Sequence, residues 1–272
     1  MQLIFLIKLM IKPKKSLGQN FLIDKNIIDK IIKLSNINNN HIVEIGPGTG
    51  NLTKKILIKS PKSLILIEKD KNLINNLKAE LSPKIKLKFF NEDILKFQLE
   101  EKINKNSIII GNLPYNISSQ ILVKLIKFKK WLPKYKKLIL MFQKEVADKI
   151  LAKYQSSSFG RLTVLTRARL KITDYVHVSE NCFYPIPKVK STILVFEPII
   201  NDDFNVKNIT NLEKVTQVFF SKKRKMINKA FNSLFKKPIS IAEKVNIDLQ
   251  LRPSQISEKQ YYKITEFFEK QL

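Results

Sequence analysis

The amino-acid sequence predicts an α/β protein: a mostly parallel sheet with helices on both faces, followed by a small C-terminal helical domain. Three observations point there. Short apolar runs alternate with stretches of helical period through the first two-thirds of the 272 residues, and sequential strand–helix units of that kind assemble into a parallel sheet. Polar and chain-breaking residues gather in "PIINDDFNV" (Pro198 to Val206). Beyond them the chain reads as helix, including "VTQVFFSKKRKMINKAFNSLF". The implied organisation is one domain over 1–200, opened by an apolar extension over 1–11, and a helical domain over 201–272.

The elements follow in order. "HIVEIG" (His41 to Gly46) is an apolar run of strand length, and "LTKKILIKS" after it has helical spacing. "SLILIE" (Ser63 to Glu68) is the second strand, a helix runs from Lys71 to about Leu81, and "KIKLKFF" (Lys84 to Phe90) is the third strand. "SIIIGN" (Ser107 to Asn112) is the fourth, with a helix over "SSQILVKLIKFKKW". "KLILMFQ" (Lys137 to Gln143) is the fifth, and "KEVADKILAK" its helix. After Gly160 a helix leads into extended "KITDYVHVS" and "STILVFEP", separated by the proline-rich "FYPIPKV", which complete the sheet.

Composition excludes several classes. Hydrophobic residues make up 44% and glycines number only 6, with no repeat, so the chain is neither disordered nor fibrous. A single cysteine, Cys182, closes no internal disulfide, and no Cys/His cluster has zinc spacing. Both facts point to a reducing compartment and a metal-independent activity. Neither His41 nor His177 sits in a nucleophile setting. The opening "MQLIFLIKLMI" is about half of the roughly 20 apolar residues a bilayer span needs. Lys8 interrupts it, no basic region precedes it and no small-residue cleavage site follows. A cytoplasmic protein with no membrane partner is expected. Fifty basic against 23 acidic residues leave a net charge of +27, which calls for an anionic partner, nucleic acid foremost. Only five of the basic residues are arginine (Arg161, Arg167, Arg169, Arg224 and Arg252). Codon composition rich in adenine and thymine accounts for lysine replacing arginine, but not for the shortage of acids.

The chemistry concentrates at strand ends. "EIGPGTGNLT" (Glu44 to Thr53) lies between a strand and a helix, where Gly46, Gly48 and Gly50 let the backbone turn tightly and approach a ligand. Its spacing is not that of the dinucleotide fingerprint, and it lacks the Lys-Ser/Thr pair of a phosphate-binding loop. Glu68, ending the next strand, is placed to accept both hydroxyls of a ribose, so an adenosine-bearing cofactor fits; a solvated strand-end glutamate is the plain alternative. Asp93 follows the third strand, where it can accept from an adenine amino group, cap the following turn, or both. In "GNLPYNISS", Pro114 biases Leu113 to an extended conformation that sets the direction of its carbonyl, and Asn112 adds a second acceptor. Two acceptors can hold an exocyclic amine and favour the positive charge that develops as it attacks. Tyr115 supplies a ring for the base to stack on. The group describes methylation of a nucleobase amine.

"KKSLGQNFLID", "VEIGPGTGNLT", "GNLPYNISS", "MFQKEVADKI", "FGRLTVL" and "FYPIPKVKS" stand in the order and approximate spacing of the KsgA/RsmA small-subunit rRNA adenine dimethyltransferases, which the chain resembles over almost its whole length. The resemblance implies a class I (Rossmann-like) methyltransferase fold, S-adenosylmethionine as methyl donor, and conversion of two adjacent adenines near the 3′ end of 16S rRNA to N6,N6-dimethyladenines. The partner would be the small ribosomal subunit, and the enzyme a monomer. Carried over by motif, Asn20, Leu22, Gly46, Glu68, Asp93 and Asn112 would line the cofactor site. Asn112, Leu113, Pro114 and Tyr115 would form the catalytic motif. Phe183 would cover the face of the base opposite Tyr115, unless it is a core phenylalanine. Tyr115→Phe, which keeps the stacking face, should remain active, whereas Tyr115→Ala should not. Where the family carries an arginine-rich helix, this chain has "SKKRKMINK", so Lys222, Lys223, Arg224 and Lys225 become the expected RNA contacts, with phosphate attraction kept and bidentate geometry reduced. Two rivals share parts of this reading: a DNA adenine-N6 methyltransferase, which would use the same amine chemistry, and a ribosome-assembly factor whose methylation is dispensable.

Overall fold

The computed structural model describes residues 13–81, 85–201 and 203–272. The apolar extension expected over 1–11 lies outside them. The chain divides into two compact units. The described residues of the first fall within 1–124, 130–147 and 172–198, and those of the second within 125–129, 148–171 and 199–272. A single cut after residue 200 therefore does not describe the division, because two earlier segments gather with the C-terminal helices. The physical reason lies within the second unit. Arg161 Nη2 and Lys127 Nζ both reach the Glu213 carboxylate at 2.6 Å, Arg167 pairs with Glu258, and Arg169 Nη1 donates to the carbonyls of Ile126 (2.8 Å) and Phe128 (3.0 Å).

The first unit opens with the two-residue strand β1 (Phe21–Leu22) and helix α1 (Lys25–Ser35). The helix starts where Asp24 accepts from the Ile27 N–H and ends at Asn36, in the left-handed region; it buries Ile27, Ile28, Ile31 and Ile32 on one face. Its cap and its four isoleucines at helical spacing are plain in the sequence, yet the helix is absent from the expected series. Then follow β2 (His41–Ile45), α2 (Asn51–Ile58), β3 (Ser63–Ile67), α3 (Lys71–Glu80), β4 (Lys86–Phe90), the short α4 (Leu99–Lys102), β5 (Ser107–Asn112), α5 (Ser118–Ile126), β6 (Tyr135–Gln143) and α6 (Lys144–Leu151). After α7 (Arg161–Arg169), which belongs to the second unit, come β7 (Leu170–Val178), β8 (Phe183–Tyr184) and β9 (Ser191–Pro198).

Seven strands make one sheet in the order β4-β3-β2-β5-β6-β9-β7. Pairs β2–β3, β3–β4, β2–β5 and β5–β6 are parallel, and β6–β9 is antiparallel. Every residue of β3 is buried, as a strand covered on both faces must be. Edge strand β4 alternates lysine with apolar residues, and lysines on an edge discourage pairing with another chain. The remaining two strands pair separately, with Leu22 opposite Phe183 and Phe21 opposite Tyr184. The order reverses at β2, which has β3 on one side and β5 on the other. Such a switch point leaves a crevice at the carboxyl ends of the strands.

In the second unit α8 (Ile209–Phe220), α9 (Asn228–Leu234), α10 (Pro238–Lys244) and α11 (Glu258–Glu269) follow. The stretch expected as one helix through "SKKRK" is broken: α8 ends at Phe220, and the Lys225 N–H closes a turn on the Lys222 carbonyl at 2.9 Å. Beyond that turn the Ile227 N–H bonds the Leu251 carbonyl (2.9 Å) in place of a partner one helical turn back. Among the described residues no helix is long and apolar enough to cross a membrane.

Candidate active site

A cavity of about 230 Å³ opens at the carboxyl ends of β2, β3 and β5, the crevice the strand order leaves. One wall is the loop after β2. Gly48 has φ 58° and Gly50 φ 79°, conformations that L side chains rarely adopt. A Cβ on Gly48 would lie 2.9 Å from the Phe21 ring, and one on Gly50 2.4 Å from Leu77 Cδ2. The loop is thus a glycine cradle whose left-handed turns and tight packing against Phe21 and Leu77 leave no room for side chains at Gly48 and Gly50.

Glu68 stands at the end of β3 and is only 8% exposed. Its carboxylate accepts from the N–H groups of Asp70 (2.9 Å) and Gly48 (3.2 Å). Burial raises its pKa, against the pull of those donors. It is no solvated strand-end glutamate. Asp93 uses both oxygens: Oδ1 caps the following turn through the Leu95 N–H, and Oδ2 meets Lys69 Nζ, each at 2.9 Å. The lysine hydrogen bond is the leading cause of its lowered pKa. The capping reading of Asp93 is therefore realised, on the cavity wall.

Asn112 ends β5 and donates through Nδ2 to the Asn20 carbonyl at 2.9 Å. That bond assigns the amide orientation and directs the side-chain oxygen to serve as an acceptor. Leu113 buries its side chain (2% exposed), while Leu113, Pro114 and Tyr115 all line the cavity. The Tyr115 hydroxyl lies 2.7 Å from Ser191 Oγ.

The structure brings Asn20, Gly46, Glu68, Asp93, Asn112, Leu113, Pro114 and Tyr115 to one cavity. It does not bring Leu22 or Phe183 there. Leu22 lines a smaller neighbouring cavity with Glu44, Gly46, Asn51 and Asn112, and its carbonyl accepts from Asn51 Nδ2 at 2.9 Å. Phe183 is 1% exposed within the hydrophobic core, pinned as the β8 partner of Leu22; the expected second face of an aromatic sandwich is a core residue here. Lys222, Lys223, Arg224 and Lys225 form an exposed basic turn in the second unit.

Two features escaped the sequence. The segment 16–21, of which only Asn20 was expected there, lines the cavity, and a buried aspartate ties it down: Lys14 Nζ just before it and Gln19 Nε2 within it bond the Asp70 carboxylate at 2.8 and 3.0 Å. Nothing near Asp70 in the sequence signals that long-range contact. Glu44 was legible as an anomaly, a carboxyl within the apolar run "HIVEIG". It is 2% exposed, receives the Thr53 hydroxyl at 2.7 Å, and burial pushes its pKa up to about 8.

A family signature described as ribosomal RNA adenine dimethylase matches residues 10–270. The chain is 42% identical over 265 residues to a ribosomal RNA small subunit methyltransferase A of Pelagibacter ubique, covering 95% of this chain and 98% of that one. Among solved structures it resembles a dimethyladenosine transferase from Plasmodium falciparum, with 28% identity, a TM-score of 0.77, and 92% and 98% of the two chains covered. The 23S rRNA methyltransferase ErmE shares the fold, with 20% identity, a TM-score of 0.65, and coverage of 92% and 100%.

Proposed function

This chain belongs to the ribosomal RNA adenine dimethylase family, and on that footing we propose that it dimethylates the N6 amines of two adjacent adenines near the 3′ end of 16S rRNA, within the small ribosomal subunit. The observation that carries the reading is the meeting, in one cavity, of Asn112–Leu113–Pro114–Tyr115 with the glycine cradle and Glu68.

The donor set fits S-adenosylmethionine. Glu68 offers a buried carboxylate to the ribose hydroxyls, Asp93 an acceptor to an adenine amine, and the loop at Gly46 and Gly48 room for close backbone approach. When bound, that cofactor supplies a sulfonium methyl group. Asn112 Oδ1 and the Leu113 carbonyl would accept from the two N–H groups of the target amine and orient its lone pair towards the methyl carbon. As the nitrogen gains positive charge, both acceptors gain in strength, which is differential stabilisation of the transition state. No strong base is needed, since the methylated nitrogen is acidic and releases its proton to water. Stacking falls to Tyr115, and Phe183 contributes as a core residue paired opposite Leu22. The basic turn at Lys222, Lys223, Arg224 and Lys225 is assigned to rRNA phosphates, and the protein works as a cytoplasmic monomer.

The test is methyl transfer from labelled S-adenosylmethionine to unmethylated small subunits, with the digested RNA analysed by mass. N6,N6-dimethyladenosine in two copies per subunit is expected. Tight subunit binding without transfer would instead favour an assembly factor, and transfer to duplex DNA would favour the DNA enzyme.

A further inference from the structure

Tyr115 sits on the loop after β5, where its ring is free to turn about two side-chain torsions unless something at its far end stops it. A stacking platform that rotates presents the base at many angles, and only the aligned fraction lies near attack geometry. The hydroxyl reaches a residue 76 positions away: Ser191 Oγ, at 2.7 Å. Ser191 is fully buried and is the first residue of β9, held in antiparallel register opposite Gln143. The preceding residue is fastened too, since the Lys190 carbonyl accepts from the Lys144 N–H at 2.9 Å. The serine hydroxyl therefore rests on rigid sheet, shielded from water. The tyrosine backbone is anchored at the other end, its carbonyl accepting from Ser118 Oγ at 3.2 Å. Burial raises the Tyr115 pKa, so the phenol stays neutral and keeps a proton for the bond.

We propose that Ser191 is a positioning residue: its hydroxyl clamps the Tyr115 ring in the plane on which the target base stacks. The inference rests on the base-stacking role given to Tyr115 above. It also refines the expectation that Tyr115→Phe remains active: the variant should be active but slowed, because phenylalanine keeps the stacking face but loses the clamp and leaves the buried Ser191 hydroxyl without its partner.

Two measurements test it. In NMR spectra of the protein with 13C-labelled tyrosine rings, Ser191→Ala should speed the flipping of the Tyr115 ring, a readout that needs no methyl transfer. In single-turnover methylation of unmethylated small subunits at saturating S-adenosylmethionine, Ser191→Ala and Tyr115→Phe should each slow the chemical step about tenfold, the scale of one lost hydrogen bond. Cofactor affinity by calorimetry should not move. The double variant should be no slower than either single, since both remove the same bond, and Ser191→Thr, which keeps the hydroxyl, should restore the rate. Unchanged ring flipping in Ser191→Ala, or losses that multiply in the double variant, would overturn the clamp. A wild-type protein that transfers no methyl would defeat the proposed reaction, and the ring measurement would still decide the clamp.

Discussion

In the sheet-bearing unit Glu68 is held by two backbone N–H groups, whereas in the helical unit Glu213 is gripped by two side-chain cations, Lys127 and Arg161. Glu258 pairs with Arg167 in the same way. The contrast separates two uses of one residue type. A carboxylate on a cavity wall that is satisfied by backbone N–H groups can trade one of those donors for a ligand hydroxyl. One neutralised by cations from separate segments is spent on holding those segments together. The arginines follow the same rule: Arg161, Arg167 and Arg169 all make bonds within the helical unit, which leaves the exposed lysines as the bulk of the positive surface.

The largest expected effect probes the cavity side of that contrast. Asn112→Ala should cost the chemical step about 2.7–4 kcal/mol, as other lost transition-state hydrogen bonds do, with folding retained. Rates must be compared at saturating S-adenosylmethionine, so that a binding defect is not read as a catalytic one. Tyr115→Ala should also be severely slowed. A near wild-type single-turnover rate for Asn112→Ala would remove it from the reaction.

Glu68→Ala should weaken cofactor binding by about 1.5–3 kcal/mol, the range for hydrogen bonds to charged groups, while RNA affinity holds. Calorimetry giving equal affinities would place Glu68 with the structural carboxylates. Glu213→Ala should do the reverse: a loss of stability of about 1–2 kcal/mol, between the values for exposed and buried pairs, read by denaturant unfolding, with cofactor affinity unchanged.

A pH-dependent effect comes from Glu44, whose pKa rises from the ordinary 4.5 to about 8 on folding. The folded state favours the protonated carboxyl, so the associated stabilisation is complete below about pH 4.5 and is lost as pH rises through about 8. Glu44→Gln, permanently neutral and still able to accept from Thr53, should flatten the fall of Tm between about pH 4.5 and pH 8. An identical decline in both proteins would show that Glu44 does not drive it. The smallest change is in salt dependence. Lys223→Ala with Arg224→Ala should reduce the slope of log affinity for rRNA against log salt by roughly 0.7–0.9 for each phosphate no longer neutralised. An unaltered slope would turn the basic turn away from the RNA.

The alternation of strands and helices is written in the sequence alone, because a continuous apolar run such as "SIIIGN" and a helical period are local properties. So are the strand ends that carry chemistry: the glycine loop, Glu68, Asp93 and "NLPY" are each legible within a few residues. What those groups touch was settled by the packing of the whole chain. Strand order placed β2 between β3 and β5 and so opened the crevice. Pairing of β1 with β8 sent Phe183 into the core, and the arginine and lysine bonds of the second unit gathered 125–129 and 148–171 with the C-terminal helices. The bond between Tyr115 and Ser191 spans 76 residues. Such long-range partners depend on sheet register and packing, which no local window of sequence contains, because the same serine at the head of a strand would be silent if that strand lay elsewhere.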